Sequence, residues 1–202
     1  MLNKAYKPCK EALLLFIWMT LLTGVLYPLL ITGITQFFFP WQANGSLIEQ
    51  EGRVLGSLLI GQQFDSPLYF WSRPSATLPS PYNAAHSLGS NAVQTSQDFL
   101  HIVKMRMAHL QETDPKKQTN LPIDLLTASA SGLDPEISPL AALFQVPRIA
   151  QLRHRSESDI QNLIAQVTKK RSCYVLGEPR LNVLELNLAL DQLEKAHDRA
   201  TS

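Results

Sequence analysis

Residues 12–39 read ALLLFIWMTLLTGVLYPLLITGITQFFF and carry no charge. A helix needs about 20 mostly apolar residues to cross the hydrocarbon core of a bilayer, and this run exceeds that even if its ends lie among the headgroups. It reads as a single membrane-spanning helix. Lys4, Lys7 and Lys10 precede it, and the next basic residue after it is Arg53. Cytoplasmic flanks carry the excess of Lys and Arg, so the N-terminus is expected in the cytoplasm and the chain from Pro40 onward outside. A cleaved signal peptide also starts basic and turns apolar, but its apolar core is about 7–15 residues long and ends at a small-residue cleavage site. This run is about twice that length and ends in Phe37-Phe38-Phe39-Pro40-Trp41, which suits an aromatic belt at headgroup level. The expected organisation is residues 1–11 in the cytoplasm, 12–39 in the membrane and 40–202 as an external α+β domain.

Small and polar residues inside the span fall on one side. Thr20, Gly24, Pro28, Thr32 and Thr35 advance by four, four, four and three positions, which at 3.6 residues per turn keeps them within about a third of the circumference. Small side chains let a second helix approach closely, and a proline frees a carbonyl that a neighbour can satisfy. The other reading is compositional, since Gly and Pro are in general more frequent in membrane helices. The shared side favours a packing face for a partner helix.

Charge and motif content exclude several classes. The formal net charge of +1 gives no footprint for nucleic acid, and no basic run is longer than Lys169-Lys170-Arg171. The sequence contains no GxxxxGK[ST] and no GxG among its nine glycines, so neither phosphate-cradling loop is present. His86, His101, His109, His154 and His197 have no His or Cys at ligand spacing. No metal and no directly bound cofactor are expected. Ser129 and Ser131 in TASASGLD lack the GxSxG elbow that presents a nucleophile, and bonding to the local backbone is the better use for them. Cys9 and Cys173 lie on opposite sides of the span and cannot pair within one chain.

Beyond the span, residues 45–49 and 53–60 read as two strands joined by the turn Gln50-Glu51-Gly52. Thr95 with Asp98 makes a capping box opening a helix to about Gln111. Residues 112–120 read as a polar linker or exposed loop, and 123–128 as a short apolar strand. Ser138 and Pro139 fit N-cap and first helical position of a helix to Arg153. Another helix starts at Ser158 or Asp159, Cys173 to Leu176 reads as a strand ended by Gly177, and Asn182 with Glu185 opens a terminal helix reaching about Lys195, with Leu184, Leu188 and Leu193 toward the core.

Residues 69–91, YFWSRPSATLPSPYNAAHSLGSN, have almost no periodicity and mix aromatic, basic and amide side chains with Pro and Gly. Irregular segments of this length usually bind something or line a surface. Tyr69, Trp71, Arg73, Ser75 and Asn91 are then candidates for an external partner surface, since aromatic and Arg side chains dominate interface energetics. Alternatively, these side chains pin the loop to its own domain.

The strings GSLLIGQQF, YFWSRPSAT, PYN followed by SLGSN, TASASGLDPEIS, QVPRIAQLR and GEPRLNVLELNLALD together resemble the C subunit of the bacterial Kdp potassium-transporting ATPase. The resemblance runs in order to about Asp191. It implies an accessory, non-catalytic subunit in the inner membrane, partnered by an ATP-hydrolysing P-type subunit and a channel-like potassium-binding subunit; ATP and potassium are then handled by the complex. The family is also described as a catalytic chaperone raising the ATP affinity of the hydrolysing subunit, with a Gln implicated, and the matching residue is Gln145. The competing class is a stand-alone membrane-anchored periplasmic enzyme or binding protein using Arg73, Ser75, Asp134 or Arg148.

Overall fold

A computed structural model describes residues 2–116 and 118–201, with side chains described from Pro8 to Lys195 apart from Lys117. The side chains of Lys4, Lys7 and His197 therefore lie outside the described residues, as does Lys117 as a whole. The chain divides into two compact units, residues 1–47 and 48–202.

The first unit is one apolar rod. Helix α1 (Leu2–Leu21) passes through a π-helical turn (Leu22–Leu26) into α2 (Tyr27–Phe38), and a short α3 (Pro40–Ala43) follows. Pro8–Phe38 is long and apolar enough to cross a membrane, with a mean hydropathy of 2.2. The described side chains from Pro8 to Ile34 are all exposed, Phe16 and Trp18 at 68%. Such a surface suits lipid or protein neighbours and not water.

The π turn has a local cause. Pro28 has no N–H, and its ring would collide with the carbonyl four residues back, that of Gly24. The backbone widens just before it, so that Tyr27 N–H bonds to Leu22 O, five residues back. A widened turn takes more residues per revolution than 3.6, so a four-residue spacing drifts less around the axis. Thr20, Gly24 and Pro28 are therefore better aligned than a regular helix would make them. Phe39 breaks the rod with φ −136°, and Trp41 Nε1 donates to Leu47 O at 2.8 Å to fasten the exit.

The second unit mixes helices with two small sheets. Strands β1 (Leu47–Gln50) and β2 (Arg53–Ser57) form a hairpin, whose two turn residues Glu51 and Gly52 both have positive φ, the requirement of a type I′ turn. Helix α4 (Gln97–Thr113) follows the long irregular segment. A 3₁₀ turn (Ile123–Leu125) leads to β3 (Glu136–Ile137) and helix α5 (Pro139–Leu152). Helix α6 (Glu157–Val167), strand β4 (Leu181–Asn182) and helix α7 (Val183–Thr201) complete the order. β3 and β4 pair antiparallel, Glu136 opposite Asn182 and Ile137 opposite Leu181. The core gathers Phe70, Ile137, Ile149, Ile160, Leu181, Leu186 and Leu190 around α5, and α6 packs on both α5 and α7.

Several expectations are corrected here. The first helix of this unit is capped by Ser96, which accepts from Phe99 N at 3.2 Å, and Asp98 sits in the first turn, where a negative charge favours the helix dipole. Residues 123–128 form a turn and no strand: Ile123 is 70% exposed while Leu125 and Leu126 are buried, and Asp124 Oδ2 accepts from Ser138 N at 2.9 Å. Residues 173–176 are a tight turn with Cys173 and Tyr174 at positive φ, closed by a bridge between Ser172 and Leu176. The supposed linker contains a buried side chain, Asp114, whose oxygens accept from the backbone N–H of Lys116 and Gln118. Ser156 caps α6, two residues before the expected start. The terminal helix turns Val183, Leu186, Asn187 and Leu190 inward in addition to Leu184, while Leu188 is half-buried.

Candidate functional site

Residues 66–69 form a turn in which Tyr69 N donates to Ser66 O at 3.2 Å, and residues 70–73 belong to no helix or sheet, so their backbone groups need other partners. Side chains supply them. Asn187 pairs with Phe70 as a strand neighbour would: its Oδ1 accepts from Phe70 N at 2.8 Å and its Nδ2 donates to Phe70 O at 3.0 Å. Gln145 repeats this one residue on, accepting from Trp71 N at 2.8 Å and donating to Trp71 O at 3.2 Å. Its remaining capacity is filled by Ala141 O and by Arg148 Nη2. The Gln145 amide is 2% exposed and fully engaged.

Two arginines cap the carbonyls upstream. Arg148 donates to Pro67 O and, at 3.1 Å, to Tyr69 O, and its guanidinium lies 3.8 Å from the centre of the Trp71 ring. Burial lowers its pKa to about 10, which leaves it charged at neutral pH. Arg153 donates to Leu68 O at 2.8 Å, pairs with Asp191 and Glu194, and stands 4.7 Å over the Tyr69 ring. The Tyr69 hydroxyl donates to Asp191 Oδ2 at 3.1 Å, and burial followed by the Asp191 charge raises its pKa. Phe70, held by the Asn187 clamp, is fully buried.

The rest of the irregular segment is fastened to residues 127–134. Ser75 Oγ donates to Gly132 O at 2.7 Å, Leu88 N donates to Ser131 O at 3.1 Å, and Gly61 N donates to Leu133 O at 2.8 Å. Gly132 has φ +67°, and a Cβ there would lie 2.6 Å from Leu88 O, so both conformation and space call for glycine. Ser129 and Ser131 accept from the nearby N–H groups of Gly132 and Leu133, the local bonding expected of them. Arg73 pairs with Asp134 at 3.0 Å. Tyr82 donates its hydroxyl to Arg73 O, and burial raises its pKa to about 12, so the proton stays on.

Of the expected partner surface, Tyr69, Trp71, Arg73 and Ser75 follow one another along this clamped stretch. Trp71, Arg73 and Ser75 line a cavity of about 620 Å³ together with Phe64, Arg106 and His109. Asn91 is exposed with φ 47° and is not part of that lining. Sequence reasoning passed over Asn187, Arg153, Arg106 and His109 as site residues. Asn187 was detectable as an amide on the apolar face of the terminal helix, four residues after Val183 and three before Leu190. Among the described residues, no three His, Cys, Asp or Glu side chains stand close enough together to hold a metal.

One helix near the N-terminus, alone among the described residues in being long and apolar enough to cross a membrane, and a mixed helix–sheet unit built around a clamped aromatic segment define a membrane-anchored protein. The chain matches the family model described as K+-transporting ATPase, c chain, over residues 9–192, and it belongs to that family. Among its relatives, a potassium-transporting ATPase KdpC subunit of Herpetosiphon aurantiacus is 53% identical, the match covering 94% of this chain and 96% of that one. Those of Methylococcus capsulatus and Dechloromonas aromatica are 53% and 50% identical, over 91% and 92% of this chain and 97% of each relative.

Proposed function

We propose that this chain is the accessory subunit of an ATP-driven potassium uptake pump, held in the bacterial inner membrane by its N-terminal helix. Membership of the c-chain family over residues 9–192 carries that reading. Its partners are then the ATP-hydrolysing P-type subunit and the channel-like potassium-binding subunit, and the chain itself catalyses no reaction. The alternative of a stand-alone enzyme finds no support: Ser75 is tied to Gly132 O, Arg73 to Asp134, and Arg148 to backbone carbonyls. The test is co-purification in mild detergent. The full chain should retain the other pump subunits, and its deletion should abolish potassium-dependent ATPase activity; a pump that assembles and works without it would refute the reading.

The stripe Thr20, Gly24, Pro28 and Thr32 is proposed as the face packed against a partner helix. A Cβ built on Gly24 meets nothing within 4 Å among the described residues, so the space is open to a neighbour. Gly24→Leu should lower recovery of the partner subunits several-fold, because a bulky side chain holds two backbones apart, whereas Leu22→Ile should leave it unchanged. Equal recovery would reduce the stripe to composition.

The orientation follows from Lys4, Lys7 and Lys10 before the span and Arg53 as the first basic residue after it. A membrane-impermeant thiol reagent applied to intact cells should label a cysteine at Asn44 and spare one at Asn3, each in a chain lacking both Cys9 and Cys173. Labelling of the Asn3 site alone would invert the topology.

A further inference from the structure

The cavity beside the clamped segment has walls that are used and donors that are not. Trp71 forms one wall, stacked on His109 with ring centres 5.3 Å apart, and Phe64, Leu110 and Leu125 add apolar surface. Its volume falls within the range of about 300–1,000 Å³ typical of ligand pockets. Helix α4 contributes Met105, Arg106 and His109, which share a face with Ile102 at spacings of three, one and three. Met105 is 60% exposed and Ile102 44%, so an apolar strip leads from solvent into the cavity.

Two guanidinium groups in this lining are incompletely paired. Arg106 is half-buried and donates only to Leu126 O at 2.8 Å; no carboxylate pairs with it among the described residues. Burial lowers its pKa. Arg73 meets Asp134 through Nη1, but its Nε is buried without a partner. The acidic group of the lining, Asp65, already accepts from the Gln63 amide with both oxygens. A guanidinium offers five N–H donors in a fork that matches a carboxylate, and leaving such donors in a part-buried site is costly.

We propose that this cavity and the adjoining face of α4 receive an extramembrane loop of another pump subunit, one that presents an Asp or Glu beside an apolar or aromatic side chain. The carboxylate pairs with Arg106, and the apolar neighbour lies along Trp71 and Met105. The inference rests on the accessory-subunit reading and adds to it the place and chemistry of contact. It leaves the membrane stripe as a separate contact, so the two are independently removable.

The test places a photo-reactive p-benzoylphenylalanine at Met105 in the full chain, co-expressed with the other pump subunits and irradiated in intact membranes. An adduct with a pump subunit is expected, mapping to a segment with an acidic residue next to an apolar one. The same probe at Leu140, also exposed but outside this lining, should give none. Arg106→Glu should lower recovery of the partner subunits at least tenfold, and Arg106→Gln, which can keep the bond to Leu126 O, should also lower it, while Arg106→Lys retains part. Adducts with lipid only, with a second copy of the chain only, or with nothing would overturn the proposal, as would wild-type recovery with Arg106→Glu. In each case the unsubstituted chain must co-purify with the pump subunits. If it does not, the accessory-subunit reading fails and not merely the docking site.

Discussion

Phe70→Ala should destabilise the second unit by about 3–5 kcal/mol, the usual cost of truncating a fully buried Phe without collapse of the surrounding core. Phe70 has no exposed surface, and its own backbone is clamped by Asn187 at both N–H and C=O. The segment therefore cannot move inward to fill the hole without giving up those bonds. Domains are stable by about 5–15 kcal/mol in total, so the loss is a large share of what holds this unit together. Urea titration of the full chain in mild detergent, followed by amide exchange in α5 and α7, should show an earlier transition. Leu78→Ala, at a side chain 61% exposed, should shift stability by no more than about 0.5 kcal/mol. If Phe70→Ala were equally silent, the clamped segment would not be part of the core.

That segment also shows which features a single sequence reveals. The apolar span, the hairpin and the helices starting at Ser138 and Asn182 follow from local rules: run length, a Glu-Gly turn, caps and apolar spacing. Asn182 accepts from Glu185 N at 3.1 Å, as its spacing suggests. The strand expected at 123–128 fails because short apolar runs do not separate a strand from a turn. Here Pro122 precedes a single 3₁₀ turn, and the following Thr127 and Ala128 are only half-buried. The chain around Cys173 fails for a different reason: Tyr174 and Val175 are strand formers by type, yet 89% and 75% exposed at the tip of a turn. The clamp itself is non-local, since Gln145 lies 74 positions from Trp71 and Asn187 lies 117 from Phe70. The visible trace of it is a polar residue in an apolar stretch, Gln145 in ALFQVPRIA and Asn187 in VLELNLAL. Both readings of residues 69–91 keep a place: Tyr69 and Phe70 pin the segment to its own unit, whereas Trp71, Arg73 and Ser75 reach an open cavity.

Gln145→Leu should cost about 3 kcal/mol, because it strands the N–H and C=O of Trp71 and removes one partner of Arg148 where the side chain is 2% exposed. The family resemblance suggests a role for this glutamine in ATP affinity, and its surroundings offer a route that needs no contact with nucleotide. Every hydrogen-bonding position of the amide is occupied by its own unit, and the side chain is 2% exposed. With the orientation proposed above from the charge asymmetry of the span, it would also lie on the side of the membrane opposite ATP. On this account Gln145 is a positioning residue, and Asn187→Leu, which releases the neighbouring Phe70 in the same manner, should reproduce its effects. Both variants should lower the yield of intact pump in parallel, while the ATP KM of the complexes that do assemble stays the same. Gln145→Glu can still accept from Trp71 N and Arg148, and should recover part of the yield. The decisive measurement is the ATP KM of purified complexes carrying each variant. A several-fold rise with Gln145→Leu and none with Asn187→Leu would mean that the glutamine acts on nucleotide binding by something other than the fold it holds.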